Sequence, residues 1–209
     1  MDTKMKETIE YKILNRIYGN RRGWIFSPHD FAGLGDRSTI DSALHRFEQK
    51  GTIRRIIRGI YYFPRTSRLL KQELLPNIDP IAHALARKFG WRIQPGEAMA
   101  QNLIGISTQV PARALYMSDG PDRTYQINQT KVIFRHQASK DAGFKRRESG
   151  LIVQAIKSLG QNRVTPQIIS KIRAWLPPAL HKKVLLDTKT TAGWVYDVIK
   201  EITRENSHG

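Results

Sequence analysis

Apolar side chains recur at helical spacing near both ends of the chain and at strand spacing in short runs between them. From Lys4 to Tyr18 they fall at Ile9, Ile13 and Ile17, with Leu14 and Tyr18 beside them, and Gly19-Asn20 closes the run, which predicts an amphipathic helix. Ser27-Pro28-His29-Asp30 joins a capping serine, a proline at the first helical position and a carboxylate that can return a bond to the cap. It predicts a short second helix that buries Phe31, Ala32 and Leu34 and ends at Gly33 and Gly35. A third helix follows over 38–50, with Ile40, Ala43, Leu44 and Phe47 at i, i+3, i+4 and i+7 and Gly51 as its stop. Residues 52–63 then read as two short Ile- and Tyr-rich strands around a turn at Arg58-Gly59, closed by Pro64.

Residues 65–78 are open to two readings: a polar linker, or a helix around Leu69, Leu70, Leu74 and Leu75 broken at Pro76. Asp79-Pro80 opens a helix with Ile81, Leu85 and Phe89 on one face and Gly90 as its stop, placed at the head of a second domain. A short strand at 91–94 and a turn or two of helix at 97–104 come next. The strand-length runs 112–117, 123–127 and 130–135, joined by turn-forming residues, predict an antiparallel meander. Arg113, Arg123, Lys131 and Arg135 either form a basic sheet face or occupy the solvent side of half-buried strands. Past a polar run at 141–150 the pattern is helical: Leu151 to Leu159 stopped by Gly160, Ile168 to Leu176 capped by Thr165-Pro166, and a last helix with Trp194, Val195, Val198 and Ile202. The expected fold is α+β: an N-terminal winged helix-turn-helix at 1–70, then an α+β domain at 79–209 with a small antiparallel sheet and C-terminal helices.

Charge sharpens this picture. The 209 residues carry 35 Lys and Arg against 18 Asp and Glu, a formal charge of +17. Residues 1–75, 76–140 and 141–209 carry +7, +4 and +6, so the excess is no basic tail on a neutral domain. An acidic partner is expected, with nucleic acid ahead of anionic membrane surface. The charged N-terminus and the lack of any run of eighteen apolar residues predict a soluble, cytoplasmic, unexported protein with no membrane partner.

The chemistry of catalysis finds little footing. There is no cysteine, and none of the six histidines lies at i, i+4 with an intervening glutamate. No phosphate-binding glycine fingerprint and no nucleophile elbow occur. The expectation is a protein that is not an enzyme and uses no cofactor or metal. A metal-dependent nuclease built on Asp119, Asp122 and Glu97 is the remaining enzymatic reading, and the plainer one makes residues 118–122 a turn.

The candidate interface is nucleic-acid binding. On the 38–50 helix, Thr39, Ser42, His45, Arg46 and Gln49 lie opposite the core face, all of hydrogen-bonding type. Arg37 and Ser38 stand at its start, where free N–H groups and the helix dipole favour a phosphate, and Lys50 stands at its end. Arg54, Arg55 and Arg58, with Tyr61, belong to the hairpin behind it, which has the order and charge of a wing on the sugar-phosphate backbone. The same apolar spacing also suits an adaptor that uses this fold for protein contacts only.

Two segments resemble a known family. Residues 37–64, whose helix runs into Arg55-Ile-Ile-Arg-Gly-Ile-Tyr61, look like the N-terminal winged helix of the AbiEi antitoxins. Ala100-Gln-Asn-Leu-Ile-Gly-Ile-Ser-Thr-Gln-Val-Pro111, with Tyr116 and Asp119-Gly120-Pro121, resembles the start of that family's second domain. The resemblance implies an antitoxin of a type IV toxin-antitoxin system that represses its own operon by binding an inverted-repeat operator in double-stranded DNA. It also implies neutralisation of a nucleotidyltransferase-like toxin through the second domain. Thr39, Ser42, His45 and Arg46 would then read bases, Arg54, Arg55 and Arg58 would form the wing, and two protomers or two modules would occupy the operator.

Overall fold

A computed structural model describes residues 8–67, 69, 71–109, 112–137 and 144–204. The start of the expected first helix, Leu70, Val110, Pro111 and residues 141–143 of the polar run lie outside them. The fold is α+β, and the chain divides into two compact units, 1–92 and 93–209.

The N-terminal unit begins with α1 (Ile9–Gly19), capped by the Thr8 hydroxyl, which accepts from the Tyr11 N–H. Strand β1 (Ile25–Phe26) and a 3-10 helix (Pro28–Leu34) follow, where a short helix was expected. The expected return bond is present: the Asp30 carboxylate accepts from the Ser27 N–H at 2.8 Å and from its hydroxyl at 3.2 Å. Of the three residues assigned to the buried face only Phe31 is fully buried, and Ala32 is exposed. Next come α2 (Arg37–Gln49), β2 (Arg54–Ile57) and β3 (Ile60–Tyr62). β3 is the middle strand of a three-stranded antiparallel sheet in the order β1-β3-β2.

Ile13, Ile17, Phe26, Phe31, Ile40, Ala43, Leu44, Phe47, Ile53, Tyr61 and Phe63 form one core between α1, α2 and the sheet. Residues 60–62 are all buried, so β3 is covered on both faces. The second cover is α3 (Ile78–Phe89), which packs on β1, β3 and the 3-10 helix and stops at Gly90 in the left-handed region. This helix therefore belongs to the first unit, whereas the sequence placed it at the head of the second. Arg87 explains the attachment, donating to Asp30 Oδ1 at 3.0 Å and to the Ile25 carbonyl at 2.9 Å. Between sheet and helix, β4 (Arg65–Ser67) and β5 (Gln72–Leu74) pair as an antiparallel hairpin, which replaces both the linker and the helix readings of this stretch. The Tyr62 hydroxyl staples it, donating to the Leu74 carbonyl and accepting from the Arg65 N–H.

The C-terminal unit holds β6 (Ile93–Pro95), α4 (Glu97–Ile104), β7 (Arg113–Ser118), β8 (Arg123–Ile127) and β9 (Thr130–His136), then α5 (Arg147–Leu159), α6 (Pro166–Trp175), α7 (His181–Asp187) and α8 (Gly193–Thr203). Its sheet runs β6-β7-β9-β8. β7 and β9 are parallel, which corrects the meander; only the β8–β9 pair is the expected hairpin. The chain leaves β7 and crosses the end of β9 to reach its far side. That crossing is tied down: Asp122 accepts from the His136 N–H at 2.7 Å and pairs with Arg135, and Ser118 Oγ accepts from the Gly120 N–H. Arg113, Lys131 and Arg135 share one sheet face with Leu115 and Ile133, while Arg123 lies in register with Phe134 on the other. The helices close over a core of Leu151, Ile152, Ala155, Ile156, Ile172, Val184, Val195, Ile199 and their neighbours.

Asp30 holds two elements at once. Replacing it by Ala strands the buried Ser27 N–H and releases Arg87, and urea unfolding is expected to show a loss of about 1–3 kcal/mol. Arg87→Ala, which leaves the Ser27 bonds intact, is expected to cost less.

Candidate nucleic-acid interface

Helix α2 forms because its apolar positions face the core and Asp36 closes its first turn. The Asp36 carboxylate accepts from the Thr39 N–H at 2.9 Å and from the Thr39 hydroxyl. Those bonds, the hydroxyl's first, hold the Asp36 carboxyl below the usual carboxylate range. The start of α2, expected to offer its donors to a phosphate, is thus filled by the protein's own anion, and Thr39 spends its hydroxyl on the cap. Arg37 is turned along the helix into an ion pair with Asp41 at 2.8 Å.

Ser38, Ser42, His45 and Gln49 are exposed and follow one another at i, i+4, i+7 and i+11, a single stripe along α2. His45 stands 4.0 Å from Glu48. Arg46 is exposed but lies on the α1 side of the stripe, in an ion pair with Glu10. Lys50 is exposed at the end of the helix.

The three hairpin arginines part company. Neighbouring strand residues point to opposite faces. Arg54 is in register with Tyr62, on the β5 side, where it pairs with Glu73 at 2.8 Å and donates to the Gly51 carbonyl. Arg55 is in register with Tyr61, on the α2 side. A bulge after Arg55 brings the strand to its turn, where Arg58 is exposed and its carbonyl accepts from Lys88 at 3.1 Å. Among the described residues the Arg55 and Arg58 side chains carry no ion pair. Tyr61, counted as a contact residue from the sequence, is a core residue, 7% exposed and stacked near Phe26. Burial pushes its hydroxyl pKa up; the charge of Arg55 opposes this, Glu48 and Asp41 add to it and Arg37 opposes it least.

Of the residues expected at the interface, Ser38, Ser42 and His45 share the exposed stripe and Arg55 is on the α2 side, whereas Thr39, Arg37, Arg46 and Arg54 are held by acids that the sequence reading missed, Asp36, Asp41, Glu10 and Glu73. A signal was present in Arg54-Arg55, since adjacent strand residues cannot serve the same face. Asp122, offered as a nuclease carboxylate, is committed to the His136 N–H and Arg135, bonds that lower its pKa in that order. Among the described residues no group of three or more His, Asp or Glu comes together to hold a metal, and no helix is long and apolar enough to cross a membrane.

Asp36 fixes a pH dependence. Its carboxyl is depressed in the folded state, so the stability it contributes is full above the ordinary carboxylate range near pH 4 and is lost as pH falls through the lowered value. Asp36→Asn keeps an N-cap acceptor without the titration, and thermal unfolding from about pH 5 downward is expected to show a flatter acid limb for the variant.

Comparison with curated proteins finds no match to this chain. A family model does match residues 12–184, spanning the chain from α1 into α7, and the chain belongs to that family, DUF6088, a family of unknown function.

Proposed function

We propose that the N-terminal unit is a winged helix-turn-helix that binds double-stranded DNA, with α2 in the major groove and the β2–β3 hairpin as the wing. One juxtaposition carries the reading: the exposed polar stripe Ser38, Ser42, His45 and Gln49 runs along α2, and Arg55, with no ion pair among the described residues, lies on the α2 side of the hairpin. Arg55, Arg58 and Lys50 neutralise phosphates and release counterions, which supplies affinity without sequence preference. The stripe supplies discrimination: a Gln side chain matches the adenine edge in two bonds, and Ser and His offer single bonds to several bases. Arg46, held by Glu10, and Arg54, held by Glu73 on the other face of the hairpin, contribute little.

The likeness of residues 37–64 and 100–111 to the AbiEi antitoxins extends the proposal to an autorepressor and antitoxin acting on an inverted-repeat operator. The C-terminal unit would then counter a nucleotidyltransferase-like toxin. The competing reading is that the same fold is an adaptor whose basic surface, with Arg55 and Arg58 exposed on the hairpin, meets an acidic protein.

Duplex titration at increasing salt separates the two, since an adaptor binds duplex weakly and without sequence preference. Arg55→Ala with Arg58→Ala is expected to weaken binding to every duplex and to lower the salt slope by up to about two units. Unchanged affinity removes the wing. Ser42→Ala, His45→Ala and Gln49→Ala are each expected to narrow the gap between operator and random duplex by about 1–3 kcal/mol for each base no longer read. Co-expression with a nucleotidyltransferase-like toxin tests the antitoxin half, restored growth supporting it and continued arrest ending it.

A further inference from the structure

We infer that the C-terminal unit carries a second, independent phosphate-binding surface: a cationic cleft lined by Lys145, Arg146 and Lys183 that grips the backbone of a nucleic acid. The cleft has a volume of about 380 Å3 and is completed by Leu186 and Asp187. Lys145 and Arg146 lie in the segment leading into α5, and Lys183 is on α7, so two elements separated in sequence bring their cations to one concavity.

The single acid in the cleft does not balance them. One Asp187 oxygen accepts from the Lys145 backbone N–H at 3.1 Å and the other from the Arg146 backbone N–H at 3.0 Å. Both oxygens therefore face the main chain. Among the described residues the Lys145, Arg146 and Lys183 side chains have no ion pair or hydrogen bond. Three like charges held around a concave wall with one engaged acid concentrate a positive potential that only an anion relieves. Asp187 also occupies the backbone donors ahead of α5, which leaves the side chains, and not the end of the helix, to hold the ligand.

Two observations favour a polymer over a free anion. Lys182 on α7 and Lys189 just after it are exposed as well, and residues 93–209 carry 17 Lys and Arg against 9 Asp and Glu. At the cleft itself Leu186 is 62% exposed, an apolar surface suited to a sugar or base beside its phosphate.

The test uses the full chain and a labelled duplex of random sequence. Lys145→Ala, Arg146→Ala and Lys183→Ala are combined, once alone and once with Arg55→Ala and Arg58→Ala. In both backgrounds the triple change is expected to lower the salt slope by about one unit for each phosphate no longer neutralised, up to about three. Lys145→Arg, Arg146→Lys and Lys183→Arg together are expected to keep the slope, and Asp187→Asn to raise affinity. An unchanged slope in both backgrounds overturns the site, as does an equal loss in the charge-retaining variant. Displacement of the duplex by inorganic phosphate at matched ionic strength overturns the polymer assignment, and binding to an acidic protein but not to duplex overturns nucleic acid as the ligand. Failure of the N-terminal reading is recognised separately, as unchanged binding when only Arg55 and Arg58 are replaced.

Discussion

The middle strand of the first sheet has no free face. Ile60, Tyr61 and Tyr62 are all buried, with Tyr61 in the core of α1 and α2 and Tyr62 turned toward the β4–β5 hairpin. Every residue of β2 paired with that strand inherits one side or the other. Arg54 and Arg55 are thereby separated, one held by Glu73 and the other facing the helix. The chemical character of the α2 side is thus set by the register of a three-residue strand, and a shift by one position would exchange the two arginines.

Acidic side chains do much to shape the rest of this surface. Arg37 is matched by Asp41, Arg46 by Glu10 and Arg54 by Glu73, and the first turn of α2 is closed by Asp36. Exposed pairs of this kind add little to stability. Their larger effect is on the local field, because each carboxylate cancels the charge of the guanidinium it holds. Of the 35 Lys and Arg, Arg37, Arg46 and Arg54 consequently add little to the positive field that a ligand meets at α2.

Much of the fold could be read from local pattern. The stripes of α1, α2, α5, α6 and α8, the Asp30 bond back to Ser27 and the Gly90 stop all depend on residues within a turn or two of each other. What escaped depends on partners distant in sequence. Arg87 reaches 57 residues back to Asp30, and so moves α3 into the first unit. The Tyr62 hydroxyl ties residues 65–67 and 72–74 together as a hairpin although Leu69 and Leu74 suit a helix. In the candidate site the polar stripe was legible because it follows from helical spacing. The roles of Arg46, Arg54 and Tyr61 were not, since Glu10, Glu73 and the shared core come from other elements.

The crossing at the end of β9 has a bearing on how the second unit assembles. β7 cannot gain its parallel neighbour from the next stretch of chain, because β8 must first travel to the outside and return through Asn128 and Gln129. The β8–β9 hairpin is local and closes cheaply, whereas its docking beside β7 closes a larger loop. Assembly therefore has a natural order, a ready-made pair of strands arriving on a waiting third, with Asp122 as the latch that fastens it once the His136 amide comes within reach.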